Sequence, residues 1–243
     1  MNDWLFDLGN SRLKAAPILG HGHGHGDVVA IAHGGDASAF AQLPADGDVA
    51  YLASVTTPAL TTALLDVLTQ RFRRICIART QAVFGGVRIA YAEPARLGVD
   101  RFLALLGAHA RGGPTLVVAI GTALTIDLLD ADGRHHGGRI APSPSLMREA
   151  MHARVPHLPE AGGAYHEFAG DTPDALASGC EGAALALVER SLDRAAALLG
   201  ATPRMLLHGG GADALCDQID GDWVPALVLE GLLRWARADG QRA

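Results

Sequence analysis

The sequence predicts an α/β protein built as two strand-and-helix halves, and three observations carry that prediction. Short apolar runs of strand length alternate with longer runs whose apolar residues recur at helical spacing. The pattern restarts after Arg111-Gly112-Gly113-Pro114, the strongest linker signal in the chain. Each half also opens on a bend carrying Asp, Gly and hydroxyl residues, Asp7-Leu8-Gly9-Asn10-Ser11 in one and Gly121-Thr122-Ala123-Leu124-Thr125-Ile126-Asp127 in the other. With 243 residues, 49% of them hydrophobic, there is material for one large domain or two small ones at roughly 150 residues each. The expected division is 1–113 and 114–243, with the last helix able to pack back on the first domain.

In the first half, Leu5 to Leu19 reads as a hairpin bent at Gly9-Asn10. The alternating His-Gly run from His21 to Gly26 reads as a flexible loop tip without a second shell to fix its histidines, and no function is assigned to it. Val49 to Ser54 is a strand. A helix follows through Phe72, with Thr57 as N-cap and Pro58 at its first position. Ile75 to Ala78 and Val87 to Ala90 are short strands. Arg101 to Arg111 is an amphipathic helix presenting Phe102, Leu105, Leu106 and His109 on one face.

The second half begins with strands at Leu116 to Ile120 and Thr122 to Leu129. The Asp130 to Gly133 turn then leads to a third strand ending near Ile140. Helices are expected from Pro144 to about Val155 and from Pro173 to Leu199, the latter capped by Asp171 or Thr172. Met205 to His208 is a strand ending in Gly209-Gly210-Gly211, and Pro225 to Ala238 is the final helix.

Composition narrows the function classes. Twenty basic against 26 acidic residues give a net charge of −6, which argues against a nucleic-acid-binding surface. Three widely spaced cysteines without a C-x-x-C pair make neither a disulfide framework nor a zinc site, so a reducing cytoplasm is expected. No apolar stretch approaches the ~18 residues needed to span a bilayer. The acidic flanks of the short N-terminal apolar run are unlike a signal peptide, so no membrane association is expected.

Three segments carry chemistry. In Asp7-Leu8-Gly9-Asn10-Ser11-Arg12-Leu13-Lys14, Gly9 lets a phosphate approach backbone N–H groups, Asn10 and Ser11 add neutral donors, and Lys14 adds a point charge. Asp7 repels phosphate and would instead hold Mg²⁺ through water. An ordinary hairpin turn would use the same residues. In the second bend, Thr122 and Thr125 offer hydroxyls and Asp127 a second carboxylate at the strand end, although a Thr-rich strand reads the same way. Neither G-x-x-x-x-G-K-[ST] nor G-x-G-x-x-G follows a strand. Finally, Gly98-Val99-Asp100-Arg101 places Asp100 where a helix begins, and the helix dipole and Arg101 favour its ionised form. It reads either as a simple cap or as the base that takes a proton from an alcohol attacking a γ-phosphate.

These segments, together with Tyr91 to Leu97, Gly137 to Pro142 and Asp171 to Gly179, resemble type III pantothenate kinases, the Bvg accessory factor family. Leu97-Gly98-x-Asp100-Arg101 is the most diagnostic part of the likeness. The resemblance implies two ribonuclease-H-like domains of the acetate and sugar kinase, Hsp70 and actin type, with ATP in an interdomain cleft and usually a homodimer. It implies ATP-dependent phosphorylation of pantothenate to 4'-phosphopantothenate, the first step of coenzyme A biosynthesis. Carried onto this chain, Asp7, Leu8, Gly9, Asn10, Ser11, Arg12, Leu13, Lys14 and Thr122 contact ATP. Tyr91, Gly98, Val99, Asp100, Arg101 and Thr172 hold pantothenate, and Asp100 is the proton acceptor. Asp7 and Asp127 face Mg²⁺ through water, and Arg101 suits the pantothenate carboxylate.

The chain departs from the family pattern at three places. Ala119 stands where a carboxylate usually ligates K⁺ or NH₄⁺, which calls a monovalent-cation requirement into question. Ser143 stands where Gly is usual and implies a changed loop. His208-Gly209-Gly210-Gly211 lacks the Asp of the usual T-G-G-D, which affects the adenosine side. Two alternatives remain open at this level: a kinase of the same superfamily acting on another alcohol, and a non-catalytic nucleotide-binding regulator.

Overall fold

A computed structural model describes residues 3–20, 24–43, 46–211 and 215–240. The chain divides into two compact units, one comprising Met1–Gly112, Asp132–His135 and Ala226–Ala243, the other Gly113–Ala131 and His136–Pro225.

In the first unit, β1 (Trp4–Leu8) and β2 (Arg12–Leu19) form an antiparallel hairpin whose register sets Asp7 opposite Lys14 and Leu8 opposite Leu13. β3 (Gly24–His25) and β4 (Val29–Ala32) both pair antiparallel with β2. The His-Gly run is therefore not wholly a loop. Gly24 and His25 pair with Leu19 and Ile18, because the edge of β2 offers backbone groups to any adjacent extended segment. His21 to His23 lie outside the described residues.

β5 (Gly47–Ser54) runs parallel to β1, and β6 (Phe72–Ile77) runs parallel to β5. The intervening helix α1 (Pro58–Thr69) starts as expected, with Thr57 Oγ accepting the Leu60 N–H at 3.4 Å. It stops three residues short of Phe72. That residue opens β6 instead, because its ring meets Phe6 edge-to-face at 5.6 Å in the core formed with Leu8, Leu13, Leu52, Leu64 and Leu68. A small hairpin, β7 (Val83–Phe84) and β8 (Val87–Arg88), precedes α2 (Val99–His109).

The second unit repeats this plan. β9 (Thr115–Ile120) and β10 (Ala123–Leu129) form an antiparallel hairpin, and β11 (His135–Pro142) neighbours β10. After α3 (Pro144–Arg154) and α4 (Thr172–Leu199), β12 (Arg204–His208) pairs parallel with β9 and β13 (Asp222–Trp223) pairs parallel with β12. In both units the first strand is flanked by its hairpin partner on one side and by a parallel strand on the other. Leu116, Val118, Ile120, Leu124 and Ile126 meet the small buried face of α4 at Ala184, Val188 and Ala195. Asp171 caps α4, its carboxylate accepting the Asp174 N–H at 2.9 Å, so Thr172 is the first helical residue.

The last helix, α5 (Leu227–Gly240), belongs to the first unit and lies on α2. The two backbones approach so closely that a Cβ on Gly231 would overlap the Leu103 carbonyl. Arg111, just past the end of α2, forms an ion pair with Glu230 of α5, and Trp235 meets Tyr51 of β5 edge-to-face at 6.5 Å. Among the described residues no helix is long and apolar enough to cross a membrane.

Candidate active site

Within the first unit, the β1–β2 bend is closed by the Gly9 N–H donating to the Arg12 carbonyl at 3.0 Å. Asn10, Ser11 and Arg12 are exposed, while Leu8 and Leu13 beneath them are buried. The bend thus presents backbone and short polar groups outward from a rigid two-strand base. Asp7 is the last polar residue before it, cross-strand from Lys14. Burial of its carboxyl and the negative charge of Asp100 push its pKa up from 3.8 to about 7, and Lys14 opposes the rise. Two carboxylates from segments more than ninety residues apart in sequence therefore lie within electrostatic range of each other beside the hairpin.

Asp100 reaches that position from the first turn of α2. The helix cap is Gly98, which has no side chain to donate or accept. The Asp100 carboxylate folds back and its Oδ1 accepts the Arg101 N–H at 2.8 Å. That fold needs space at residue 98: a Cβ on Gly98 would lie 2.6 Å from Asp100 Oδ1. The Gly-x-Asp spacing is thus a steric requirement of this carboxylate. Val99 is buried and anchors the turn.

Arg101 is 7% exposed, its guanidinium 5.9 Å from the centre of the Tyr91 ring and its Nη1 donating to the Tyr91 hydroxyl at 3.3 Å. Tyr91 in turn stacks on His135 with ring centres 6.1 Å apart. His135 is buried and accepts the Ala90 N–H on Nδ1 at 3.4 Å. Sequence reading did not single out His135, and no motif marked it.

The remaining expected residues lie in the second unit. Thr122 is exposed in the β9–β10 turn, where the Gly121 N–H donates to the Ala123 carbonyl at 3.0 Å. Its carbonyl accepts the Ser143 hydroxyl at 3.0 Å. Ser143 is buried and also caps α3 by accepting the Leu146 N–H, so the Ser in place of the usual Gly braces this turn. Asp127 sits inside β10 opposite Val117 and is 2% exposed, so it is an interior strand residue, not one at the strand end. The ladder of paired strands continues past it to Leu129. Thr172 is exposed on a shallow groove of about 520 Å³ lined also by Met151, Leu158 and Leu176. Ala119 pairs with Thr125 and His208 in the sheet and carries no donor oxygen on its side chain. Among the described residues, no group of three or more His, Cys, Asp or Glu is arranged to hold a metal ion.

The chain is similar to known proteins over nearly its whole length. Residues 4–194 match the family model described as type III pantothenate kinase. A type III pantothenate kinase of Stenotrophomonas maltophilia strain K279a is 59% identical over 97% of this chain and 98% of its own length. One from Xanthomonas euvesicatoria pv. vesicatoria is 57% identical over 98% of each. Among solved structures, a conserved Campylobacter jejuni protein described as a Baf family transcriptional activator superposes with TM-score 0.65 at 18% identity, covering 98% of this chain and 99% of that one. Lmo2764 of Listeria monocytogenes, described as an N-acetylmannosamine kinase, gives 0.53 at 13% identity over 99% and 100%. The archaeal actin homologue Ta0583 gives 0.50 at 10% identity over the full length of both. These three establish the fold alone: α/β, of the actin and sugar-kinase type.

Proposed function

We propose, for a chain that belongs to the type III pantothenate kinase family, a division of labour among its residues in the ATP-dependent phosphorylation of pantothenate that begins coenzyme A biosynthesis. The family implies ATP with a divalent metal. In our reading the exposed bend from Gly9 to Arg12 offers its N–H groups to the phosphates and Lys14 adds positive charge, with Leu8 and Leu13 as its apolar base. Thr122, in the second unit, is assigned a hydroxyl contact with ATP.

Asp100 accepts the proton of the pantothenate primary hydroxyl as that oxygen attacks the γ-phosphorus. The bond to the β–γ bridging oxygen breaks, and ADP leaves with the electron pair. Arg101, oriented over Tyr91, pairs with the pantothenate carboxylate. Gly98 and Val99 are assigned to the same substrate, as is Thr172 of the second unit.

We assign Mg²⁺, arriving with ATP, to Asp7. A carboxyl whose ionisation is opposed by burial and by a neighbouring carboxylate gains from a cation, and that supports the fit. Asp127, 2% exposed, is the second candidate. Ala119 supplies no carboxylate, so a K⁺ or NH₄⁺ ion there would rest on other oxygens. We further propose a cytoplasmic homodimer without nucleic-acid partners.

The observation that carries the reading is the electrostatic meeting of Asp7 and Asp100, which links the phosphate hairpin to the diagnostic Gly-x-Asp-Arg segment within one unit. Pantothenate-dependent ADP release is the test. Asp100→Asn should lower kcat by roughly 10²–10⁴-fold, the usual worth of a positioned base. An unchanged kcat removes Asp100 from that role, and ADP release indifferent to pantothenate removes the substrate assignment.

A further inference from the structure

His33 follows β4 and is 5% exposed, its ring edge-to-face with Phe40 at 5.6 Å. Its polar groups bond to the hairpin and to its own turn. Its backbone N–H donates to the Ser11 carbonyl at 3.0 Å, and the Gly34 N–H adds a second bond to that carbonyl at 3.3 Å. The Gly35 N–H donates to Nδ1 of the ring at 3.0 Å. This bond is possible because Gly34 and Gly35 both adopt positive φ, 52° and 95°, and turn the chain back over the imidazole.

With Nδ1 occupied as an acceptor, the neutral ring carries its proton on Nε2. That nitrogen lies 3.1 Å from the Gly9 carbonyl and donates to it. A trans peptide is planar, with its C=O and N–H pointing in opposite directions. Holding the Gly9 carbonyl toward His33 therefore aims the Asn10 N–H away from it, toward the exposed side of the bend.

We propose that His33 is a positioning residue for nucleotide binding: its Nε2–H pins the Gly9 carbonyl and so presents the Asn10 N–H to a nucleotide phosphate. The inference rests on the reading that this hairpin binds ATP. His33 itself touches no phosphate; it removes rotational freedom from the peptide that does.

Two substitutions separate the ring's two nitrogens. His33→Asn places an amide oxygen near the Nδ1 position and loses the donor to Gly9. His33→Gln places an amide nitrogen near Nε2 and keeps that donor. His33→Asn should raise KM for ATP by roughly three- to tenfold, the worth of one oriented hydrogen bond, with KM for pantothenate unchanged. His33→Gln should restore the ATP value to within about twofold of the parent chain, as an amide donor of similar reach. Equal rises in both variants would overturn the proposal, because the effect would then follow loss of the ring and not loss of the donor.

Lys14→Ala tests the underlying reading separately. If it raises KM for ATP while His33→Asn does not, the His33 inference alone fails; if neither changes it, the hairpin reading fails as well. A measurement free of substitutions completes the test. In ¹⁵N-labelled parent protein the Asn10 amide resonance should shift on addition of Mg²⁺ and a non-hydrolysable ATP analogue, and an unmoved resonance would overturn the proposal.

Discussion

At the scale of single residues, the diagnostic Leu-Gly-x-Asp-Arg segment has a steric explanation. Gly98 caps α2 without a side chain, and its missing Cβ leaves room for the Asp100 carboxylate to bend back onto the Arg101 N–H. Gly98→Ala would place a methyl group 2.6 Å from Asp100 Oδ1, and the flexible end of that side chain would move before the backbone did. We therefore expect a drop in kcat of at least about tenfold with a small change in melting temperature. The magnitude follows from the steep cost of misplacing a catalytic group by about 1 Å. A variant with unchanged kcat would show that the observed carboxylate position is not the working one. The charge of Arg101 and its place in the Gly-x-Asp-Arg segment were legible in the sequence. Its support from Tyr91 and the stacked His135 was not, since thirty-four residues separate Arg101 from His135 and no spacing rule connects them.

Elements show where local pattern was sufficient and where packing overrode it. Thr57-Pro58 and Asp171-Thr172-Pro173 begin helices for reasons confined to a few residues: a side-chain oxygen for an unpaired N–H, then a ring already at helical φ. The end of α1 was not legible, because Phe72 continues the apolar spacing of the helix yet is drawn into the sheet against Phe6. The crossing of α2 with α5 is a packing decision too. Gly231→Ala adds helix propensity of roughly 1 kcal/mol but drives a methyl into the Leu103 carbonyl, which is backbone and cannot swing aside. We expect the clash to win and destabilise the chain by about 1–3 kcal/mol, read from urea unfolding with the m-value unchanged. Equal or greater stability would mean that the two helices can separate without cost.

For the molecule as a whole, burial of the Asp7 carboxyl, with the Asp100 charge added to it, couples ligand-free stability to pH. The folded Asp7 carboxyl titrates near 7, whereas the unfolded group has its ordinary value of 3.8. Between those values the folded chain retains a proton that the unfolded chain has released. Asp7's contribution is therefore fully present below about 4 and is lost as pH rises toward 7. Melting curves of the parent chain and Asp7→Asn should diverge over this window, the variant gaining relative stability with rising pH. A difference independent of pH would show that burial and the Asp100 charge do not hold the folded Asp7 carboxyl protonated. The strand-and-helix alternation, the restart after Pro114 and the similar bend opening each half were all set by local composition, because hydrophobic period, turn chemistry and helix caps act over a handful of residues. By itself the sequence also determined the kinase family, since its motifs are strings of neighbours. Only the tertiary structure brought Asp100 to Asp7, buried Asp127 inside its strand and set His33 beneath Gly9. Such meetings depend on how sheets and helices close over one another, and in that closure sequence distance carries no information.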